Sequence, residues 1–125
     1  MKKKIETDKA PKAPMLSQAI VNNGLIFVSG QIHNTTDGKL VNGSIEEKIH
    51  QIMKNIGAIL KAANSNLDDV IKATIYVTDM SMGPKINEIY VSYFEQPLPA
   101  REMVCVKALP LGADIEISVI AKTKA

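Results

Sequence analysis

Aromatic residues are scarce in this chain: no tryptophan, two phenylalanines and three tyrosines among 125 residues. That leaves no platform for stacking single-stranded bases. Excess charge is also lacking, since 15 Lys and Arg face 13 Asp and Glu, a net +2 too small to argue for nucleic acid. Lys2, Lys3, Lys4, Lys9, Lys122 and Lys124 sit at the two ends, a pattern of solvated termini rather than a binding face. The single cysteine, Cys105, excludes an internal disulfide and points to a reducing compartment. The expected location is cytoplasmic, with mitochondrial as the alternative. No apolar run approaches the ~18 residues of a membrane helix. No apolar segment follows the basic N-terminus, and Glu6 and Asp8 argue against a transit peptide. His33 and His50 lie far apart without cysteines or carboxylates at ligand spacing, so no metal site is expected. GxGxxG, P-loop and GxSxG motifs are absent, so the chemistry should need no cofactor.

What is present is ordinary globular material, 46% hydrophobic and 22% charged, in a length that suits one domain over 1–125. Residues 1–14, with Pro11 and Pro14, read as an extended arm ordered only at its end. Met15 to Val21 and Leu25 to Gln31 are strand candidates around an Asn22-Asn23-Gly24 turn, and Lys39 to Val41 is a weak third strand. Ser44-Ile45-Glu46-Glu47 is a capping box, and Ile45, Ile49, Ile52, Met53, Ile56, Ile59, Leu60 and Ala63 follow at helical spacing. A helix over about 45–63 follows. Val70 to Val77 is a β-branched strand. Pro84 suits the first turn of a second helix, whose apolar face is Ile86, Ile89, Tyr90, Tyr93 and Phe94. The order βββαβαββ predicts an α+β fold, one sheet with two helices on one face. LIFVSG and VIKATIYV are apolar on nearly both sides, which predicts that a homo-oligomer covers the other face.

The last stretch, PAREMVCVKALPLGADIEISVIA, carries Arg101 and Glu116 in otherwise apolar strands. A guanidinium offers a planar fork for carboxylate or phosphate, and a glutamate can position or deprotonate water. Two plainer readings stand beside these: a structural ion pair or rim residue for Arg101, and a solvent-facing strand position for Glu116. If the last two strands form a simple hairpin about Leu109 to Ala113, Arg101 lies more than about 10 Å from Glu116 along the sheet. A shared site then needs two subunits. Ser29-Gly30-Gln31 ends a buried strand; the glycine permits close approach of a ligand, or marks a bulge or strand end. Cys105 reads as a buried, inert thiol.

The SGQ after a buried strand, the INEIY of the second helix, and PAR followed by ALPLGADIEISVIA resemble the Rid/YjgF family of enamine/imine deaminases, from about Ala10 to Ala121. The resemblance implies a chorismate-mutase-like α+β fold and a homotrimer with clefts between subunits. It implies cofactor-free hydrolysis of intermediates such as 2-aminoacrylate and 2-aminocrotonate to 2-oxo acids and ammonia. The family's substrate-binding arginine falls on Arg101, its acidic residue on Glu116, its glycine contact on Gly30 preceded by Ser29, and its asparagine on Asn87. Two positions depart. Leu16, in Pro14-Met15-Leu16-Ser17-Gln18, stands where the family often has tyrosine, and Met103 stands where it has cysteine. Losing the tyrosine hydroxyl shifts the expected preference toward more apolar side chains. An alternative function is a non-catalytic module that binds 2-oxo acids in the same cleft. RNA cleavage, attributed to some members, fits poorly with near-neutral charge, few aromatics and no histidine pair.

Overall fold

The computed structural model describes residues 1–124. Six strands form one mixed sheet in the order β1-β2-β3-β6-β4-β5. In chain order these are β1 (Lys3–Ile5), β2 (Ala19–Asn22), β3 (Leu25–Ile32), β4 (Val70–Val77), β5 (Ala100–Cys105) and β6 (Ile115–Lys122). Helix α1 (Ile45–Ala62) precedes β4, and α2 (Gly83–Val91) connects β4 to β5. Only β4 and β5 run parallel; every other pairing is antiparallel.

Local chemistry explains the elements. Asn23 (φ 51°) and Gly24 (φ 77°) form the two-residue turn between β2 and β3, taking the positive φ values such a hairpin requires. The capping box is complete: Ser44 Oγ accepts from Glu47 N–H, and Glu47 Oε1 accepts from Ser44 N–H at 2.9 Å. The helix stops at Asn64, which adopts φ 59°. Period-two alternation sorts each strand. Ile26, Val28, Ala73, Ile75, Val77, Ile115, Ile117 and Val119 are buried on one face, in a single cluster with the apolar sides of both helices.

Three sequence expectations need correction. Lys39–Val41 is no strand of the sheet; only an isolated bridge, Asn34 to Leu40, forms there. The third strand is β1, inside the arm expected to be loose. Ile5 and Ala10 are buried, and Gln18 accepts from Thr7 N–H and donates to the carbonyls of Thr7, Ala10 and Pro11. One buried amide thus satisfies a stretch of backbone that the sheet cannot pair. The simple hairpin is also absent, because β4 inserts between β5 and β6. The β4–α2–β5 unit makes β5 parallel to its neighbour, so β5 becomes a sheet edge.

The second face carries no helix. Ile20, Phe27 and Ile120 lie in register across it, as do Val104, Tyr76 and Glu116. Phe27 and Val104 are 43% and 40% exposed, and a Lys72–Glu102 ion pair (3.2 Å) lies among them.

Candidate functional site

Arg101 sits opposite Ala73, on the helix-covered side of edge strand β5. It escapes burial because the edge lets its side chain lie along α2. Its Nη1 donates to Asn87 Oδ1 at 2.5 Å, and the guanidinium carbon stands 5.4 Å from the centroid of the Tyr90 ring. No carboxylate faces it among the described residues, so the ion-pair reading does not apply. Arg101 is exposed, whereas Tyr90 is 2% exposed and its hydroxyl is buried without a hydrogen-bond partner. Burial raises the Tyr90 pKa, opposed by the nearby guanidinium charge.

Glu116 points to the other face. Register runs from Arg101 through Ala73 to Val119, three residues beyond Glu116, and an odd offset reverses the side. The two residues are separated by about 10 Å along the strands and about 9–10 Å across two of them. Half-buried Glu116 has no hydrogen-bonding or charged partner among the described residues, and burial raises its pKa above the usual carboxylate value.

Gly30 lies in a bulge, because β3 has two residues between Val28 and Gln31 where β6 has one between Val119 and Ile117. The close approach foreseen at this glycine is made by Glu116 itself. A Cβ on Gly30 would lie 2.8 Å from both Cδ and Oε2 of Glu116. Ser29 is already engaged, its hydroxyl donating to Ser17 O (2.6 Å) and its N–H to Gln18 O (2.9 Å). These bonds tie the Pro14–Ser17 loop to the bulge. Leu16, 47% exposed, projects from that loop and borders an open depression of about 250 Å³.

Met103 is half-buried, and its sulfur would lie 3.5 Å from a Cβ placed on Gly83. Its side chain therefore serves the junction with α2, and only its backbone reaches the sheet edge. Cys105 corrects an expectation: the thiol is exposed, because β5 is an edge strand and α2 does not extend over its end.

Two residues that flank the candidate site escaped the sequence reading. Tyr90 was counted only as part of an apolar helical face; its spacing three residues after Asn87 was the available signal. His33, fully buried, donates from Nδ1 to Val41 O (2.8 Å) and accepts at Nε2 from Asp114 N–H (2.9 Å), a tautomer assigned from its partners. Burial lowers its pKa. Asp114 pairs with Lys48 at 2.5 Å, which lowers the carboxyl pKa, and so braces the entry to β6 two residues before Glu116. Among the described residues no three His, Cys, Asp or Glu side chains cluster as a metal site, and no helix is long and apolar enough to cross a membrane.

A family model described as Endoribonuclease L-PSP matches residues 7–123. Protein HMF1 of Saccharomyces cerevisiae is 46% identical over 115 residues, spanning 91% of this chain and 89% of its own. The 2-iminobutanoate/2-iminopropanoate deaminase of Rattus norvegicus is 44% identical over 123 residues, 97% and 90% of the two chains. Among solved structures, yeast Mmf1 superposes with a TM-score of 0.95 at 40% identity, covering 99% of this chain and all of its own.

Proposed function

The chain belongs to the Rid/YjgF family, whose model carries the endoribonuclease L-PSP description, and from that premise we propose that it hydrolyses reactive enamine/imine intermediates to 2-oxo acids and ammonia. The observation that carries this reading is Arg101, an exposed guanidinium held by a neutral amide and an aromatic face, with no carboxylate partner among the described residues. Such a group keeps donors free for the carboxylate of a 2-imino acid.

The chemistry needs only positioning and one proton shuttle. An enamine such as 2-aminoacrylate first tautomerises to the imine, gaining a proton at its terminal carbon and losing one from nitrogen to water. With the carboxylate on Arg101, water attacks C2, the C=N π electrons move to nitrogen, and Glu116 accepts the water proton. Glu116 returns that proton to nitrogen, giving the neutral carbinolamine, and then relays the hydroxyl proton to the same nitrogen; ammonia leaves as C=O forms, and the Glu116 carboxylate is restored. Burial raises its pKa, which makes the carboxylate a stronger base than a free one. The intermediate also hydrolyses unaided, so holding the reactants together, worth up to ~7–11 kcal/mol in favourable systems, more than suffices.

Because one chain puts Arg101 and Glu116 on opposite sheet faces, we place the cleft between subunits of a homotrimer, Arg101 from one and Glu116 with Gly30 from another. The mixed apolar and polar open face supports such an assembly. Leu16 in the loop beside Gly30 favours substrates with apolar side chains. Exposed Cys105 supports a reducing compartment, for which we take the cytosol.

The test is a dehydratase assay that follows 2-oxo acid release. Purified protein should accelerate release and Arg101→Ala should abolish the acceleration. Equal rates with and without the protein would exclude a deaminase, and 2-oxo acid binding without a rate effect would identify a non-catalytic binding module.

A further inference from the structure

We propose that Tyr90 and Asn87 are positioning residues for Arg101, forming with it a pre-oriented carboxylate clamp on the exposed edge of the sheet. The proposal rests on the reading of Arg101 as the substrate-carboxylate residue.

An arginine on an exposed edge strand ordinarily samples many rotamers and gives up that freedom on binding. Here two residues one turn apart on α2 hold it beforehand. Asn87 Oδ1 fixes Nη1, and the guanidinium carbon lies over the Tyr90 ring, 5.4 Å from its centroid. Tyr90 is itself immobile, buried to 2% exposure and packed against Phe94 with ring centroids 4.8 Å apart. Asn87 spends its side-chain acceptor on the arginine, and its side chain makes no other hydrogen bond among the described residues, which leaves its amide N–H donors free near those of Arg101. The result is a row of donors with a single acceptor, and that acceptor already used. It suits a carboxylate and disfavours a cation.

The Tyr90 hydroxyl has no hydrogen-bond partner among the described residues, so it does not account for a tyrosine at this place. The ring face does. A guanidinium over an aromatic ring gains affinity for that face whether or not a hydroxyl is attached. Pre-orientation lowers the cost of binding without adding a contact to the substrate. Its loss therefore falls mainly on KM, with kcat less affected.

The experiment titrates 2-oxobutanoate into the full chain by calorimetry and measures KM and kcat in the dehydratase assay. The variants are Asn87→Ala, Tyr90→Leu, Tyr90→Phe and Arg101→Ala, each checked for folding by circular dichroism. Asn87→Ala and Tyr90→Leu should each weaken binding and raise KM about tenfold, while Tyr90→Phe stays within about threefold of wild type. Wild-type affinity in both Asn87→Ala and Tyr90→Leu, with binding lost in Arg101→Ala, overturns this proposal and leaves the carboxylate reading intact. Unchanged binding in Arg101→Ala overturns both. If Tyr90→Leu does not fold, the Arg101 side-chain proton resonances of the wild type decide: the proposal requires a ring-current shift, and ordinary positions overturn it.

Discussion

At the scale of single residues, the pairing of Gly30 with Glu116 is the closest fit at the candidate site. A methyl group on Gly30 collides only with the far end of a side chain, so Gly30→Ala should leave stability within about 1 kcal/mol while displacing the carboxylate. We expect kcat to fall at least tenfold with an unchanged thermal midpoint; a midpoint loss as large as the activity loss would mean that the glycine serves the fold. Glu116 also sets a pH dependence. Burial raises its pKa above the usual carboxylate value, so the acid limb of kcat/KM, after subtraction of unaided hydrolysis, should be displaced upward from that of a free carboxylate and be missing from whatever activity Glu116→Gln retains. His33 acts on stability instead. Its folded-state pKa is lowered, so the unfolded chain binds the extra proton as pH falls below about 6.5. The His33 contribution should be complete above that pH and decline as pH drops through the lowered value. Denaturant titrations of wild type and His33→Gln at pH 7.5 and 5.5 check this, the difference narrowing at the lower pH.

At the scale of elements, the legible parts were those written in local sequence. The capping box of α1, the Asn23-Gly24 turn and the β-branched run of β4 each declare themselves within a few residues, and each formed as read. The order of strands in the sheet was not legible, because pairing is a long-range choice. The Leu109–Ala113 corner looked like a hairpin turn, yet β4 separates the strands it joins. Arg101 and Glu116 could be named as candidates from charge in apolar strands, but their opposite faces depend on a register that only the sheet defines. Cys105 was misplaced for the same reason, since alternation cannot tell an edge strand from a central one. The arm was misread because its support is a distant side chain rather than its own composition. That support can be tested. Gln18→Ala removes four hydrogen bonds to residues 7–11, and hydrogen exchange at Lys3–Ile5 should quicken far more than in β4 or β6. Uniform quickening across the sheet would show that Gln18 supports the whole core.

At the scale of the whole molecule, the proposed site needs more than one chain. The helix-covered face of one chain presents Arg101 at an edge, and its open face presents Glu116 beside Gly30; about 14 Å and a sheet lie between them. The apolar residues of the open face, Ile20, Phe27, Val104 and Ile120, supply a reason for chains to associate, and the polar residues among them leave room for clefts. The central claim is that the two residues work together only across a subunit boundary. Its most direct test is complementation. Arg101→Ala and Glu116→Ala chains, each inactive alone, are unfolded, mixed in equal amounts and refolded together. In a cyclic assembly each cleft draws one residue from each of two neighbours, so random mixing restores about a quarter of wild-type activity. Activity that stays at the level of the separate variants, in mixed assemblies shown to contain both chains, would contradict a shared cleft.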